Sequence, residues 1–373
     1  MLIGIDGNEA NVTTKVGISE YSFQILWNLY ELRKQEKNDH AYKVYLKEKP
    51  NDELPREASW WKYVVVSPKK FWTQIGLPLR LQTEKTKPEV FFTTSHYGPR
   101  FSPMKTVVSI MDLSFIHFPE TFKRSDLLKL SSWTRSSAMK ASKVITISNS
   151  SKNDIISEYK LPQSKIHVVY PGLKEAFTKT HTTMRELEEF GVKSDFILFV
   201  GTLQPRKNIA SLVEAFSHVK NNIKDLQLVI IGKKGWMYEE ILQSPETYGV
   251  KDSVLFLDFV KDADLPTFYK EAQCYVLPSL YEGFGLPVLE AMKYGCPVLT
   301  SNVSSLPEAG GDAALYFDPE KVVDIAQKIE KVVGDKKLQQ VMREKGKEHY
   351  KKFTWEKSAK EVLAVLEEVA KNS

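Results

Sequence analysis

Ser279-Leu-Tyr-Glu-Gly-Phe-Gly-Leu-Pro-Val-Leu-Glu-Ala-Met-Lys-Tyr-Gly-Cys-Pro297 follows directly on a short apolar run, Tyr275-Val-Leu-Pro278. Two carboxylates, Glu282 and Glu290, bracket a loop carrying Gly283, Phe284, Gly285 and Leu286. Pro287 then opens an apolar helix, in whose first turn a missing N–H costs nothing. The order is therefore strand, glycine loop, helix. That geometry aims backbone N–H groups and a positive helix end at a ligand above the strand, typically a phosphate. Glu282 lies on the loop and Glu290 one turn into the helix, so the acids occupy different levels of one site. Glu282 can approach a ligand beyond the phosphates, and Glu290 can reach hydroxyls such as those of a ribose.

Working outward, short β-rich runs alternate with longer helical patterns, the signature of βαβ units on parallel sheets. In the first half the spacing predicts strands over Leu2–Ile5, Tyr42–Leu46, Tyr63–Val66, Val90–Thr93, Thr106–Ile110, Lys143–Thr146 and Ile166–Val169. Helices are predicted over Ser19–Gln35 and Asp126–Lys140. A fresh series starts at Phe196–Val200 and continues through Gln227–Ile231, Ser253–Phe256, Cys274–Leu277, Pro297–Ser301 and Ala314–Phe317. Between the two series, Pro171–Arg185 is polar and interrupted, and the domain boundary is placed there. The expected fold class is α/β, with two Rossmann-like α/β/α domains facing across a cleft and ligands bound beyond the strand C-termini.

Composition sets the limits. With 373 residues, 42% hydrophobic and 27% charged, the chain is long enough for two globular domains. No apolar run approaches the ~20 residues of a membrane span. The N-terminus enters a strand pattern without a basic leader or cleavage site, so a cytoplasmic location is expected. Cys274 and Cys296 give neither a disulfide framework nor a zinc spacing and read as buried thiols. A net charge of +5 is too small and dispersed for nucleic acid. Lys69, Lys70 and Arg80 read as solvated charge, with peripheral contact at the inner membrane face as the alternative.

The glutamate segment resembles the Glu-x7-Glu signature of retaining GT-B glycosyltransferases of family 4, which use nucleotide-sugar donors. The resemblance covers nearly the whole chain and is densest over 196–320. Phe199-Val-Gly201-Thr-Leu-Gln-Pro-Arg206-Lys207-Asn208 follows a strand with a glycine turn and two cations, which suit a fully ionised diphosphate. The resemblance gives Arg206 and Lys207 that role; many relatives carry arginine where this chain has Thr202. Together with Glu282, which would orient the sugar, these are the expected catalytic residues. Donor binding is assigned to Glu290 (ribose), Gly283, Phe284, Gly285, Leu286, Gly201, Val260 (base recognition) and Gly17. Gly17 lies in the loop Lys15-Val-Gly-Ile and resembles the family's glycine loop, where a side chain would block backbone approach.

Ser109-Ile-Met-Asp112-Leu resembles the family's His-Asp-Leu segment, but Met111 stands where relatives often carry the histidine that contacts the transferred sugar. Asp112 and His96 are the expected acceptor- or sugar-side residues, and His117 reads equally as packing. Ile147-Ser-Asn-Ser-Ser-Lys152 reads as a capped helix start, with Ser148 and Lys152 bordering the cleft. Ser305-Leu-Pro-Glu308 has capping-box spacing. The terminal stretch from Trp355 is amphipathic; by resemblance, residues 356–373 cross back to an N-terminal domain of residues 1–175, the other domain being 176–355.

The resemblance thus implies a metal-independent retaining hexosyltransferase in glycan or polysaccharide biosynthesis, with no cofactor beyond its nucleotide-sugar co-substrate. The mannosyltransferase branch and GDP-mannose are the best fit. The acceptor, glycan, lipid-linked or small molecule, is not readable from sequence. Alternatives are a UDP-sugar-dependent glucosyl- or N-acetylglucosaminyltransferase, or a non-catalytic sugar-nucleotide-binding protein. A Rossmann dehydrogenase is disfavoured, since no Gly-x-Gly-x-x-Gly follows Leu2–Ile5.

Overall fold

The computed structural model describes residues 1–36, 39–173, 184–258 and 260–371, so most of the expected boundary at 171–185 lies outside the described residues. Two compact units emerge: Met1–Gly172 with Phe353–Ser373, and Leu173–Lys352. Each is built on one parallel sheet.

In the first unit the strands are β1 (Leu2–Asp6), β2 (Ala41–Leu46), β3 (Trp61–Val65), β4 (Val90–Thr93), β5 (Lys105–Ser109), β6 (Lys143–Thr146) and β7 (Ile166–Val168). Their order is β3-β2-β1-β4-β5-β6-β7, all parallel, with Asp6 opposite Thr93 in the central pair. In the second unit they are β8 (Phe196–Val200), β9 (Gln227–Ile231), β10 (Val254–Leu257), β11 (Cys274–Leu277), β12 (Val298–Ser301) and β13 (Ala314–Phe317), ordered β10-β9-β8-β11-β12-β13. Each predicted strand is present, with ends shifted by at most two residues. The near-continuous apolar runs are legible because helices cover both faces of a parallel sheet, so neither face needs polar side chains. Val90–Thr93 and Cys274–Leu277 are buried along their whole length.

The helix Trp355–Lys371 packs in the first unit. Trp355, Ala359, Val362, Leu366 and Val369 join the core formed by Ile25, Leu29 and the strands Leu2–Asp6 and Ala41–Leu46. Trp355 meets Tyr21 edge to face at 6.0 Å, Ser358 Oγ donates to the Tyr170 carbonyl (2.6 Å), and Glu367 and Glu368 reach His40 (2.7 Å) and Lys143 (2.8 Å). Among the described residues no helix is long and apolar enough to cross a membrane.

Gly172 lies against the start of this helix, where an added Cβ would fall 2.2 Å from the Trp355 nitrogen. Backbone cannot yield there as a flexible side chain would. Gly172→Ala is expected to lower stability by about 1–3 kcal/mol, read as a shifted urea midpoint with unchanged slope; an unshifted midpoint would contradict this packing.

Candidate active site

In a doubly wound sheet the loops leaving two central strands diverge to opposite sides where the strand order reverses, and ligands bind in the crevice left there. In the second unit that point lies between β8 and β11, and the loops leaving these two strands carry Arg206-Lys207 and Glu282. After β8 the backbone passes Gly201, close enough to the next loop that a Cβ on Gly232 would fall 1.9 Å from the Gly201 carbonyl oxygen. Pro205–Lys207 then form a single 3-10 turn, and Asn208, in the left-handed region at φ 55°, redirects the chain into the helix Ile209–Asn222. The Asn208 side chain holds that corner, donating to the Pro319 carbonyl (2.9 Å) and accepting from Ser211 Oγ (2.7 Å).

The three expected catalytic side chains form one cluster. Lys207 Nζ lies 2.5 Å from Glu282 Oε1, and Arg206 Nη1 lies 3.1 Å from Oε2. Arg206 Nη1 also donates to the Tyr281 carbonyl, and Ser279 Oγ donates to Oε1 at 2.6 Å. The loop around Glu282 is fixed by main-chain bonds as well: the Glu282 amide donates to Ser304 Oγ (3.0 Å), Ser305 Oγ to the Glu282 carbonyl (2.8 Å), and the Leu280 amide to the Arg206 carbonyl (2.9 Å). Burial alone would raise the Glu282 carboxyl, but Lys207 and then Arg206, aided by the hydrogen bonds from Lys207 and Ser279, outweigh it and hold it at about 2. The group is therefore a carboxylate at neutral pH. Both Glu282 oxygens are engaged by protein neighbours.

The rest of the loop serves the turn into the helix Leu286–Lys293. Gly285 has φ 108°, and a Cβ there would meet Leu306 Cδ2 at 2.9 Å, so both conformation and space require glycine. Phe284 is buried, Gly283 lies beside it, and Leu286 begins the helix. Glu290, half-buried in that helix, accepts a hydrogen bond from Tyr269 (3.3 Å), which stacks on Tyr294 at 5.9 Å. Burial, and next the Glu290 charge, push the Tyr269 hydroxyl well above its ordinary range. Val260 is buried in the loop beyond β10 at the sheet edge. Cys274 and Cys296 are buried thiols; burial pushes Cys296 up to about 12.

The remaining expected residues belong to the first unit. Gly17 is exposed at φ 53° just before the helix Ile18–Glu36, and a Cβ there would meet nothing within 4 Å. At that φ the conformation itself favours glycine. His96 follows β4 and Asp112 follows β5. Burial lowers the His96 imidazole while Asp112 raises it, and its ring meets Phe115 edge to face at 6.3 Å. Asp112 Oδ1 accepts from the Ser114 amide (2.9 Å) and so starts the short helix Ser114–His117. Met111 is buried in the core, His117 lies 3.5 Å from Asp154, and Ser148 caps the helix Asn149–Tyr159 through the Ser151 amide (3.0 Å).

Several contributors escape sequence reasoning. Ser279 sits three residues before Glu282, a spacing that could have been noticed. Ser304, at φ 49°, and Ser305 lie more than twenty residues away and meet Glu282 only through the fold. The capping-box reading of Ser305-Leu-Pro-Glu308 is corrected: the Ser305 hydroxyl makes no cap and instead donates to the Glu282 carbonyl. Asp6, at the end of β1, accepts from the amide and side chain of Asn8 (3.1 and 2.7 Å), and burial lifts its carboxyl to about 6.

Glu282→Gln removes the carboxylate charge that Arg206 and Lys207 face. Because the folded-state carboxyl is held below its unfolded value of 4.5, its stabilising contribution is present above pH 4.5 and is lost as pH falls towards 2. The stability gap between parent and variant is expected to be about 3 kcal/mol at pH 7 and to narrow in that window, as urea titrations at a series of pH values would show. A gap independent of pH would mean that the cations do not hold the carboxylate.

Residues 181–349 match the model of the family described as glycosyl transferases group 1. The O-antigen chain mannosyltransferase B of Escherichia coli is 30% identical over 269 residues, covering 70% of this chain and 71% of that protein. The serotype-specific mannosyltransferase WbdA of Escherichia coli is 29% identical over 270 residues, 69% of this chain but only 32% of that longer protein. The sucrose-phosphate synthase of Thermosynechococcus elongatus superposes over 100% of both chains with a TM-score of 0.73 at 17% identity, a likeness of fold. With this architecture, and with a buried cation–carboxylate cluster at the strand ends of its second unit, the chain belongs to the glycosyl transferases group 1 family and is a glycosyltransferase of GT-B fold.

Proposed function

We propose that the enzyme transfers mannose from GDP-mannose to an acceptor hydroxyl, with retention at the anomeric carbon, in the synthesis of a polysaccharide. The observation that carries the reading is the cluster of Arg206 and Lys207 around the single carboxylate of Glu282. Two cations gathered beside the ends of β8 and β11 suit the diphosphate of a sugar nucleotide, whose charge side-chain cations and charge-assisted hydrogen bonds meet best. The mannosyl assignment is supported by the names of the two Escherichia coli relatives.

In this reading the bond between the anomeric carbon and the donor's phosphate oxygen breaks as the acceptor oxygen bonds to the same face of the sugar. The acceptor's proton passes to the departing phosphate oxygen. Arg206, Lys207 and the loop ahead of the helix Leu286–Lys293 stabilise the charge that gathers on the leaving diphosphate, and such stabilisation is worth most in a site already organised for it. Glu282 is an ill-suited general acid because it stays ionised, and an ill-suited nucleophile because Lys207, Arg206 and Ser279 occupy its oxygens. Its role is to hold the two cations in register and to present its edge to the sugar. Glu290 takes the ribose hydroxyls.

Calorimetric titration is expected to show binding of GDP-mannose and much weaker binding of UDP- and ADP-sugars; preference for a UDP-sugar would overturn the donor assignment. Arg206→Ala should lower kcat by roughly 100-fold, and full turnover in that variant would remove the cluster from the chemistry. Because side-chain cations supply the neutralising charge, turnover is expected to persist undiminished in EDTA. A loss restored by magnesium or manganese would show that a metal shares the task.

A further inference from the structure

On the first unit, far in sequence from the cluster just described, three segments form a face whose composition departs from that of the whole chain. Residues 67–83, 94–105 and 124–140 contain nine Lys and Arg against a single acid, Asp126, in a protein with 52 Lys and Arg against 47 Asp and Glu. Contacts join the segments. The Arg100 amide donates to the Thr73 carbonyl (3.0 Å), and Lys140 Nζ donates to the Arg100 carbonyl (3.1 Å). Gln74, Arg100, Trp133, Ser136 and Lys140 line one cavity of about 330 Å³.

Large apolar side chains stand out from the same face. Phe71, Ile75, Leu79 and Phe101 are between 46% and 62% exposed, where a soluble surface would ordinarily carry polar groups. They come from the π-helical turn Trp72–Gly76 with its left-handed preceding residue Phe71, the helix Leu77–Thr83, and the loop before β5. Cations border the two rings: Lys70 lies 5.6 Å from the Phe71 centroid, and Arg100 and Lys140 lie 5.5 and 5.2 Å from that of Phe101. Lys69 is neutralised by Glu48, and Arg80 by Glu84 (3.1 Å). Among the described residues, Lys70, Arg100 and Lys140 have no carboxylate within ion-pair distance. Two cations crowding one exposed ring repel each other, and an anion placed between them relieves that repulsion.

We propose that this face docks on an anionic lipid bilayer. Phe71, Ile75, Leu79 and Phe101 enter the boundary between headgroups and acyl chains, Lys70 meets headgroup phosphates, and Arg100 and Lys140 draw an anionic headgroup into the cavity beside Trp133. The chemistry fits a lipid surface because apolar insertion and diffuse positive charge act together there and each alone binds weakly. A second copy of this chain would present the same unpaired cations and be repelled.

The test is co-sedimentation of the full chain with vesicles of phosphatidylcholine, with and without phosphatidylglycerol, at low and high salt. Binding is expected only to the vesicles containing phosphatidylglycerol and is expected to weaken with salt. The double variants Phe71→Ser/Phe101→Ser and Arg100→Glu/Lys140→Glu should each cut partitioning by roughly tenfold or more, with thermal midpoints and GDP-mannose titration confirming an intact fold. Equal binding to both vesicle types, no binding, or undiminished binding by both variants would overturn the proposal. So would self-association without lipid that Phe71→Ser/Phe101→Ser abolishes, since a second copy would then be the occupant.

Discussion

Two adjacent cations need a reason to remain together in a protein interior, and Glu282 supplies it. Arg206 and Lys207 are consecutive on a 3-10 turn, and Lys207 is almost wholly buried. Without the carboxylate between them, desolvation and mutual repulsion would favour expelling at least one side chain to water. With it, each cation has a close partner, and Ser279 adds a third hydrogen bond to the carboxylate. The arrangement depends in turn on a loop that cannot drift. Ser304, Ser305 and the Leu280 amide fix the main chain at Glu282, and Gly285 permits the reversal into the following helix. The cluster and the loop conformation therefore stand or fall together.

In the reaction proposed above, the same arrangement would limit how strongly a diphosphate is held. A pair of unopposed buried cations would hold a diphosphate tightly before and after reaction, which lowers KM without raising kcat and slows product departure. Glu282 offsets one of the two charges, so attraction for a ground-state anion is reduced. Arg206 and Lys207 would, in the proposed reaction, strengthen their contacts with a leaving diphosphate as charge accumulates on it. In that reaction the carboxylate would act through the cations it holds, a different task from proton transfer and consistent with its low pKa.

Legibility in the sequence followed the range of the interactions. Parallel strands announce themselves locally, because burial on both faces forces runs such as Phe196-Ile-Leu-Phe-Val200. Glu282, Arg206 and Lys207 were visible as residue types at the ends of such runs, but nothing local told that they would bond to one another. That contact requires β8 and β11 to be neighbours, a fact of sheet order. Ser305 shows the converse: its spacing to Glu308 gave a sound local reading, and a distant carbonyl took its hydroxyl instead. The turn Trp72–Gly76, preceded by a left-handed Phe71, is not legible in the sequence, since a single wide turn leaves no 3.6-residue periodicity.

The two sheets share a doubly wound plan, yet their strand ends carry different chemistry. At the reversal point of the second unit stand charges that answer one another across two loops. At that of the first unit, between β1 and β4, stand Asp6, Thr93, Thr94, Ser95 and His96. There Thr94 Oγ1 donates to the Asp6 carbonyl (3.3 Å), and Ser22 Oγ to the Thr94 carbonyl (3.4 Å). Burial raises the Asp6 carboxyl and lowers the His96 imidazole, so it acts against charge on both. One sheet order thus frames an ion cluster in one unit and a weakly charged, hydroxyl-rich edge in the other. The fold fixes where a site lies, and the residues at the strand ends decide whether it attracts an anion or offers hydrogen bonds to a neutral group.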